Sequence, residues 1–130
     1  MRPLKILTGP NPILEKVCRA DFRIPEWLIP EMFRLLREHR GLGLAAPQVG
    51  IDARLFIVHW GEIFVNPVIT SQSEEDVLTQ EGCLSFPNVV GLKARRLWIE
   101  VCGRQYGQIE AFVIQHELDH LNGITVATGM

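Results

Sequence analysis

Residues 108–121 read QIEAFVIQHELDHL. Ile109, Phe112, Val113 and His116 recur at helical spacing and Asn122-Gly123 is a helix stop, so the spacing predicts a helix over 108–121. Inside it stands H-E-x-x-H, from His116 to His120. On a helix these two histidines lie one turn apart and point the same way. Two imidazoles so placed ligate one divalent cation. Glu117 lies roughly 100° round the helix, where a carboxylate accepts a proton from an attacking water. The alternative is two surface histidines on an ordinary helix, a coincidence in a chain with four histidines.

A catalytic centre of this kind needs a third protein ligand. After His120 the chain reads LNGITVATGM, without histidine, cysteine or carboxylate. Proteases with H-E-x-x-H take that ligand from downstream, as a glutamate or as the last histidine of H-E-x-x-H-x-x-G-x-x-H. Here Gly123 matches the glycine, but Val126 stands in the place of the last histidine. The ligand therefore lies upstream, which argues against both protease types. Cys83, in EGCLS (81–85), is the strongest candidate. Cys18, in an irregular stretch, and Cys102, read as mid-strand behind Trp98 and Glu100, are explained by packing, and packing stays open for Cys83 too. His39, on the apolar face of a first helix, and His59, in a strand, read as structural. A Cys-His-His set leaves one position open for water, whereas a structural site closes with four protein ligands. Its donors suit zinc and ferrous iron alike.

Working outward, residues 1–25 are proline-rich and irregular, with one helical turn expected from Ile13 to Cys18. Met32, Phe33, Leu35, Leu36 and His39 predict a helix from Pro30 to Arg40, stopped by Gly41. GLGLAAPQVG (41–50) reads as a loop or strand with close backbone approach. RLFIVHW (54–60) and EIFVNPVIT (62–70) read as strands joined by a two-residue turn at Gly61-Glu62. VLTQEGCLS (77–85) reads as a strand entering a turn that Pro87-Asn88 continues, and RRLWIEVC (95–102) as an alternating strand. The expected class is α+β: short antiparallel or mixed strands around the C-terminal H-E-x-x-H helix, plus one N-terminal helix, in a single domain over 1–130.

Thirteen basic against fifteen acidic residues leave a net charge of −2, which argues against a basic nucleic-acid-binding domain. An apolar content of 47% argues against disorder. No apolar run reaches the roughly 18 residues of a membrane span, and Pro3, Gly9, Pro10 and Pro12 interrupt any signal-like segment. Three cysteines are too few for a disulfide framework. The expectation is a reduced cytoplasmic protein without membrane or direct nucleic-acid partners.

GLGLAAPQ (41–48), EGCLS (81–85) and QHELDH (115–120) resemble, in this order, the three signature motifs of the peptide deformylases. The resemblance covers most of the chain. It implies a metal-dependent amidase that removes the formyl group from the N-terminal formyl-methionine of new polypeptides and releases formate. Matched by motif, Cys83, His116 and His120 hold one divalent metal per chain, Fe2+ by family habit, with Zn2+, Ni2+ or Co2+ as substitutes. Glu117 is the general acid and base. Gln48 and the Leu84 backbone N–H donate to the formyl oxygen. The backbones of Leu42 and Gly43 and the Gly82 carbonyl hold the peptide strand-wise, and Leu42, Ile109, Phe112 and Val113 line the methionine pocket together with His116.

Several departures qualify the match. The stretch from Arg95 to His116 is shorter than in most relatives, and GRQYGQIE leaves only a tight link. Gly61-Glu62 replaces a longer loop. The chain stops ten residues after His120, without the C-terminal helix through which many bacterial relatives contact the ribosome, so ribosome docking is a weakened expectation. Val90 stands where many relatives have a substrate-contacting arginine, and Arg95 matches a different family arginine, paired with Glu81. Short forms of this kind are similar to deformylases carried by bacteriophages, which makes the setting a bacterial cytosol or an infected bacterial host. Two other readings are an endopeptidase, which would cleave casein, and a relative that binds formyl-methionyl N-termini without turnover. Intact Glu117 and Gln48 argue against the second.

Overall fold

The computed structural model describes residues 3–129. Two helices and eight strands are present among them, with short 3-10 turns at Pro12–Glu15 and Ala46–Val49. The first helix, α1, runs Leu28–Glu38 and buries Leu28, Glu31, Met32, Leu35 and Leu36, a stripe at the i, i+3, i+4, i+7 and i+8 positions. It starts before Pro30, which takes its place in the first turn. It begins and ends two residues earlier than the expected Pro30 to Arg40, and the left-handed stop comes one residue before Gly41. Arg40, not Gly41, adopts the left-handed conformation, with φ 54°. The Arg40 N–H bonds the Arg37 carbonyl and the Gly41 N–H bonds the Leu36 carbonyl, a Schellman closure. Gly41 keeps this stop uncrowded: a Cβ there would meet Leu36 Cδ1 at 2.8 Å and Leu84 Cδ1 at 2.9 Å, two flexible side-chain ends that would have to shift.

Strands β1 (Gly43–Ala45), β2 (Leu55–Val58) and β3 (Ile63–Val65) form an antiparallel sheet in the order β1-β2-β3. All four residues of β2 are buried because both its faces are covered. Leu55 and Ile57 pack with Met32 and Leu35 of α1. Phe56 and Val58 pack with Ala111, Val113 and Ile114 of α2 (Gln108–Leu121). A second antiparallel sheet has the order β4-β7-β8, formed by Ile69–Gln72, Trp98–Val101 and Arg104–Gly107. Strands β5 (Asp76–Cys83) and β6 (Phe86–Arg96) make a separate two-stranded arm. Every pairing of these strands is antiparallel.

The local corrections share a cause: turn chemistry that strand-like composition hides. The 54–60 and 62–70 strands do not meet at a two-residue turn. Val58 and Glu62 close a loop over His59-Trp60-Gly61, with Gly61 at φ 100°, the arrangement of a three-residue hairpin loop. The 62–70 run splits into β3 and β4 at Asn66, φ 48°, and Pro67, which has no N–H for a ladder. Pro87 and Asn88 lie in β6 and not in a turn; Cys83 pairs with Phe86 across Leu84-Ser85. Arg95 and Arg96 end β6, so RRLWIEVC is divided between two strands.

Cys102 is not a core residue. It is exposed and forms, with Gly103, the two-residue turn between β7 and β8, both at positive φ. Cys18 is buried, as expected. His39 caps the C-terminus of α1 and is exposed, and His59 is exposed in its loop, so neither is packed in the interior. The early helical turn spans Pro12–Glu15 and not Ile13 to Cys18. After Gly103, the residues RQYG form strand β8, whose last residue, Gly107, is itself the N-cap of α2. None of the described helices is long and apolar enough to cross a membrane.

Candidate active site

Helix α2 delivers His116, Glu117 and His120 from one side, and the end of β5 delivers Cys83 from the other. The candidate ligand atoms of Cys83, His116 and His120 lie within 4.8 Å of one another. Cys83 Sγ is 3.3 Å from His120 Nε2. With a metal–sulfur bond of about 2.3 Å and a metal–nitrogen bond of about 2.0–2.1 Å, a tetrahedral site separates sulfur and nitrogen by about 3.5 Å. The donors therefore suit one soft or borderline divalent cation. The register of β5 and β6 breaks here. Gly82 alone separates the paired residues Glu81 and Cys83, whereas Pro87–Val90 separate their partners. The break frees Cys83 from regular pairing.

The two imidazoles are held differently. His116 Nδ1 lies 2.8 Å from Glu81 Oε1, which directs Nε2 toward the ligand cluster. Arg95 grips the same carboxylate through Nε (2.7 Å) and Nη2 (2.6 Å) and reaches Asp119 through Nη1 (2.6 Å). The Thr79 hydroxyl donates to Glu81 at 2.6 Å. Burial would raise the Glu81 carboxyl, but Arg95, His116 and Thr79 outweigh it and hold the group far below the usual range. Burial would lower His116, but Cys83 and Glu81 outweigh it and push the imidazole up to about 10. His120 has the opposite character. Burial first, then the charges of His116 and Arg95, lower it to about 3, leaving a neutral imidazole. Its Nδ1 is buried without a hydrogen-bond partner among the described residues.

Glu117 is buried, and its Oε1 also lacks a partner. Desolvation raises its carboxyl to about 7 against the opposing charges of His116 and Arg95. Gly43 leaves room for it: a Cβ there would meet Glu117 Oε2 at 2.8 Å. Gln48 is fixed by the 3-10 turn after β1. Its Oε1 accepts the Ala45 N–H at 2.9 Å, and Nε2 donates to Ser85 Oγ at 3.1 Å and lies 3.6 Å from Cys83 Sγ. A side-chain amide donor, a buried carboxylate near neutral pKa and a three-donor cluster thus meet in one place. Together they can bind a divalent cation, move a proton and hold a carbonyl oxygen.

A cleft of about 680 Å³ opens over this place. Leu42, Gly43, Gln48, Gly82, Cys83, Leu84, Ile109, Phe112, Val113, His116 and Glu117 all line it, with His120 beneath. Every site residue expected from sequence is therefore brought together. One detail differs. The Leu42 carbonyl accepts the His59 N–H at 2.9 Å and so faces β2. Adjacent residues of an antiparallel edge alternate in direction, so Gly43 presents its main chain to the cleft, while the Leu42 carbonyl is turned away from it. No local spacing predicts the bonds that Ser85, Thr79 and Asp119 make here. Ser85 stands within EGCLS and Asp119 within H-E-x-x-H, which was the available signal; Thr79 had none.

The polypeptide deformylase family model matches residues 3–130. A peptide deformylase of Treponema pallidum is 41% identical over 135 residues, covering 93% of this chain and 83% of that protein. One from Synechocystis is 38% identical, covering 92% and 71%. The crystal structure of the Thermotoga maritima peptide deformylase superposes with a TM-score of 0.86 at 32% identity, covering 97% of this chain and 96% of that one. The enzyme of a Vibrio parahaemolyticus bacteriophage, solved in complex with actinonin, gives 0.84 at 29% identity, covering 94% and 99%.

Proposed function

The chain belongs to the polypeptide deformylase family, and on that premise we propose how its own residues carry out the family's reaction. It is a metal-dependent hydrolase that removes the N-formyl group from formyl-methionine at the N-terminus of nascent polypeptides. Cys83, His116 and His120 hold the cation, with Fe2+ as the working metal and Zn2+, Ni2+ or Co2+ as substitutes that the same donors accept. A divalent cation bound there supplies Lewis-acid polarisation of the formyl carbonyl and lowers the pKa of water. We place it in a bacterial cytosol or in an infected bacterial host, where formylated chains are made.

Glu117 takes the proton of the attacking water and passes it to the leaving amine. A carboxyl raised to about 7 by burial holds or releases a proton with little penalty near neutrality. As the formyl carbon becomes tetrahedral, its oxygen gains negative charge. Gln48 Nε2 and the Leu84 N–H are the donors for it, and Gln48 is already oriented by Ala45 and Ser85. The methionine side chain lies against Ile109, Phe112, Val113 and Leu42, and the peptide main chain pairs with the Gly43 edge and the Gly82 carbonyl.

The observation that carries this reading is the meeting of Cys83, His116 and His120 within 4.8 Å at the floor of the cleft that Glu117 and Gln48 line. The test is formate release from a formyl-Met peptide by protein prepared without oxygen and loaded with iron, nickel or cobalt. Release with any of these supports the assignment. No release from a chain shown to contain one metal would overturn it.

A further inference from the structure

We infer that Arg40 determines substrate specificity, drawing the cleft toward formyl-methionyl peptides with an acidic side chain on the second or third residue after methionine. The inference rests on the deformylase reading for the identity of the peptide. A groove of about 540 Å³ abuts the active-site cleft, and Arg40, Gly41 and Leu42 line both. The groove adds Arg37 and His59, and no carboxylate among the described residues lines it. In the cleft itself, Glu117 is buried and Glu81 is occupied by Arg95, His116 and Thr79. Among the described residues neither Arg37 nor Arg40 enters an ion pair. The open side of the cleft is thus cationic and unanswered.

The placement of the formyl end follows from Gly43. Its backbone runs so close to Glu117 that a Cβ there would meet Oε2 at 2.8 Å, so the formyl end lies beside Gly43. Its main chain is the part of the edge turned to the cleft, because the Leu42 carbonyl is taken by His59. Three residues before Gly43, outside β1 and at the end of α1, stands Arg40, no more than about 10 Å of chain away and lining the same cleft. A peptide laid strand-wise with its formyl group at Glu117 passes Leu42 and Gly41. It then carries its second or third side chain after methionine to the Arg40 guanidinium. The Arg40 backbone is closed into the end of α1 by its bond to Arg37, so the charge is carried on a fixed lip and not on a free loop.

Two peptide series test this: formyl-Met-Ala-X-Ala amide and formyl-Met-Ala-Ala-X amide, with X as Glu, Gln or Lys. On the metal-loaded enzyme at low salt, Glu should exceed Lys in kcat/KM by about 3–10-fold in at least one series, through KM, as expected for one exposed charge partner reversed in sign. High salt should shrink the ratio. Arg40→Gln should bring it to about one, and Arg40→Glu should invert it. The same ratios should appear in Kd on the metal-loaded Glu117→Ala variant, which binds without turnover. Equal values for Glu and Lys, or a ratio that Arg40→Gln leaves unchanged, would overturn the inference. Failure of the deformylase reading shows separately, as no formate from any peptide, the neutral ones included, while the Kd ratios still decide the role of Arg40. If no peptide binds at all, both fall.

Discussion

Helices α1 and α2 cover opposite faces of one small sheet, yet they bury different chemistry. The α1 stripe is apolar except for Glu31, and Glu31 is satisfied nearby: Arg34 of the same helix donates to it at 2.6 and 2.9 Å, and the Leu4 N–H at 2.7 Å. Helix α2 buries Gln115, Glu117 and His120 among its apolar residues. Gln115 finds its partners on Arg96 and Ala111, but Glu117 Oε1 and His120 Nδ1 find none. Burying a polar group without a partner costs about 1–3 kcal/mol. The buried face of the first helix serves packing. The second buries two polar atoms that no described group answers, one of them on the Glu117 carboxyl.

The largest effects should follow from changing what α2 leaves unpartnered. Glu117→Gln removes the proton carrier without changing the shape much. We expect kcat to fall by about 10²–10⁴, with metal content by elemental analysis unchanged. Cys83→Ala should lose the metal and the activity together. Full turnover with Glu117→Gln would remove this residue from its role. The stability consequence has a definite sign. The folded pKa of Glu117 is raised to about 7, so in the metal-free chain its contribution is fully present below the unfolded value near 4.5. It is lost as pH rises through 7. Glu117→Gln should therefore gain stability over the parent chain between pH 5 and 8, read as a rising difference in urea midpoint. The kcat/KM profile of the loaded enzyme should show an acid limb at or below pH 7, because a bound cation draws the carboxyl down.

The next contrast compares Arg95→Met with Met32→Ala. Arg95 is buried and answers both Glu81 and Asp119, so its loss leaves buried carboxylate without its cation, at about 3–5 kcal/mol. Met32 is fully buried in the α1 cluster, and its truncation costs about 2–5 kcal/mol. Denaturant titration should find both destabilised to a similar degree. Only Arg95→Met should weaken metal binding, by about 10–100-fold, since Glu81 orients His116. Equal metal affinity in the two variants would erase the distinction between the helices.

What sequence could show follows the same division. The bounds of α2 and the shared face of His116 and His120 depend on spacing within one helix, and they match the structure. Cys83 was reachable because nothing after His120 could serve as a ligand. The grip on the site was less accessible. Gln48 meets Ser85 across 37 residues of sequence, and Arg95 meets Asp119 across 24. No local pattern encodes such pairs. Cys102 misled for another reason. The alternation of β7 runs on into a turn whose first residue is a cysteine at φ 53°, where asparagine or glycine is usual. Asn66-Pro67 was similar, since flanking β-branched residues disguised a break between two sheets.

The smallest effect lies on α1 and concerns pH. Arg34 and the Leu4 N–H hold the Glu31 carboxyl down at about 2. A lowered carboxyl favours the folded state fully above the unfolded value near 4.5, and the advantage is lost as pH falls through 2. Glu31→Gln should thus be less stable than the parent chain at pH 6, and the two should converge between pH 4.5 and 2, read as the difference in Tm. The gap at pH 6 should be modest, because Arg34 still has Glu38 at 2.6 Å and stands half in solvent. Metal content and kcat should not follow the substitution, because Glu31 faces the α1 side of the sheet. A gap that stays constant to pH 2 would mean that Glu31 acts through packing and not through charge. α1 would then hold itself together without the ion pair that sets its buried glutamate apart from the one on α2.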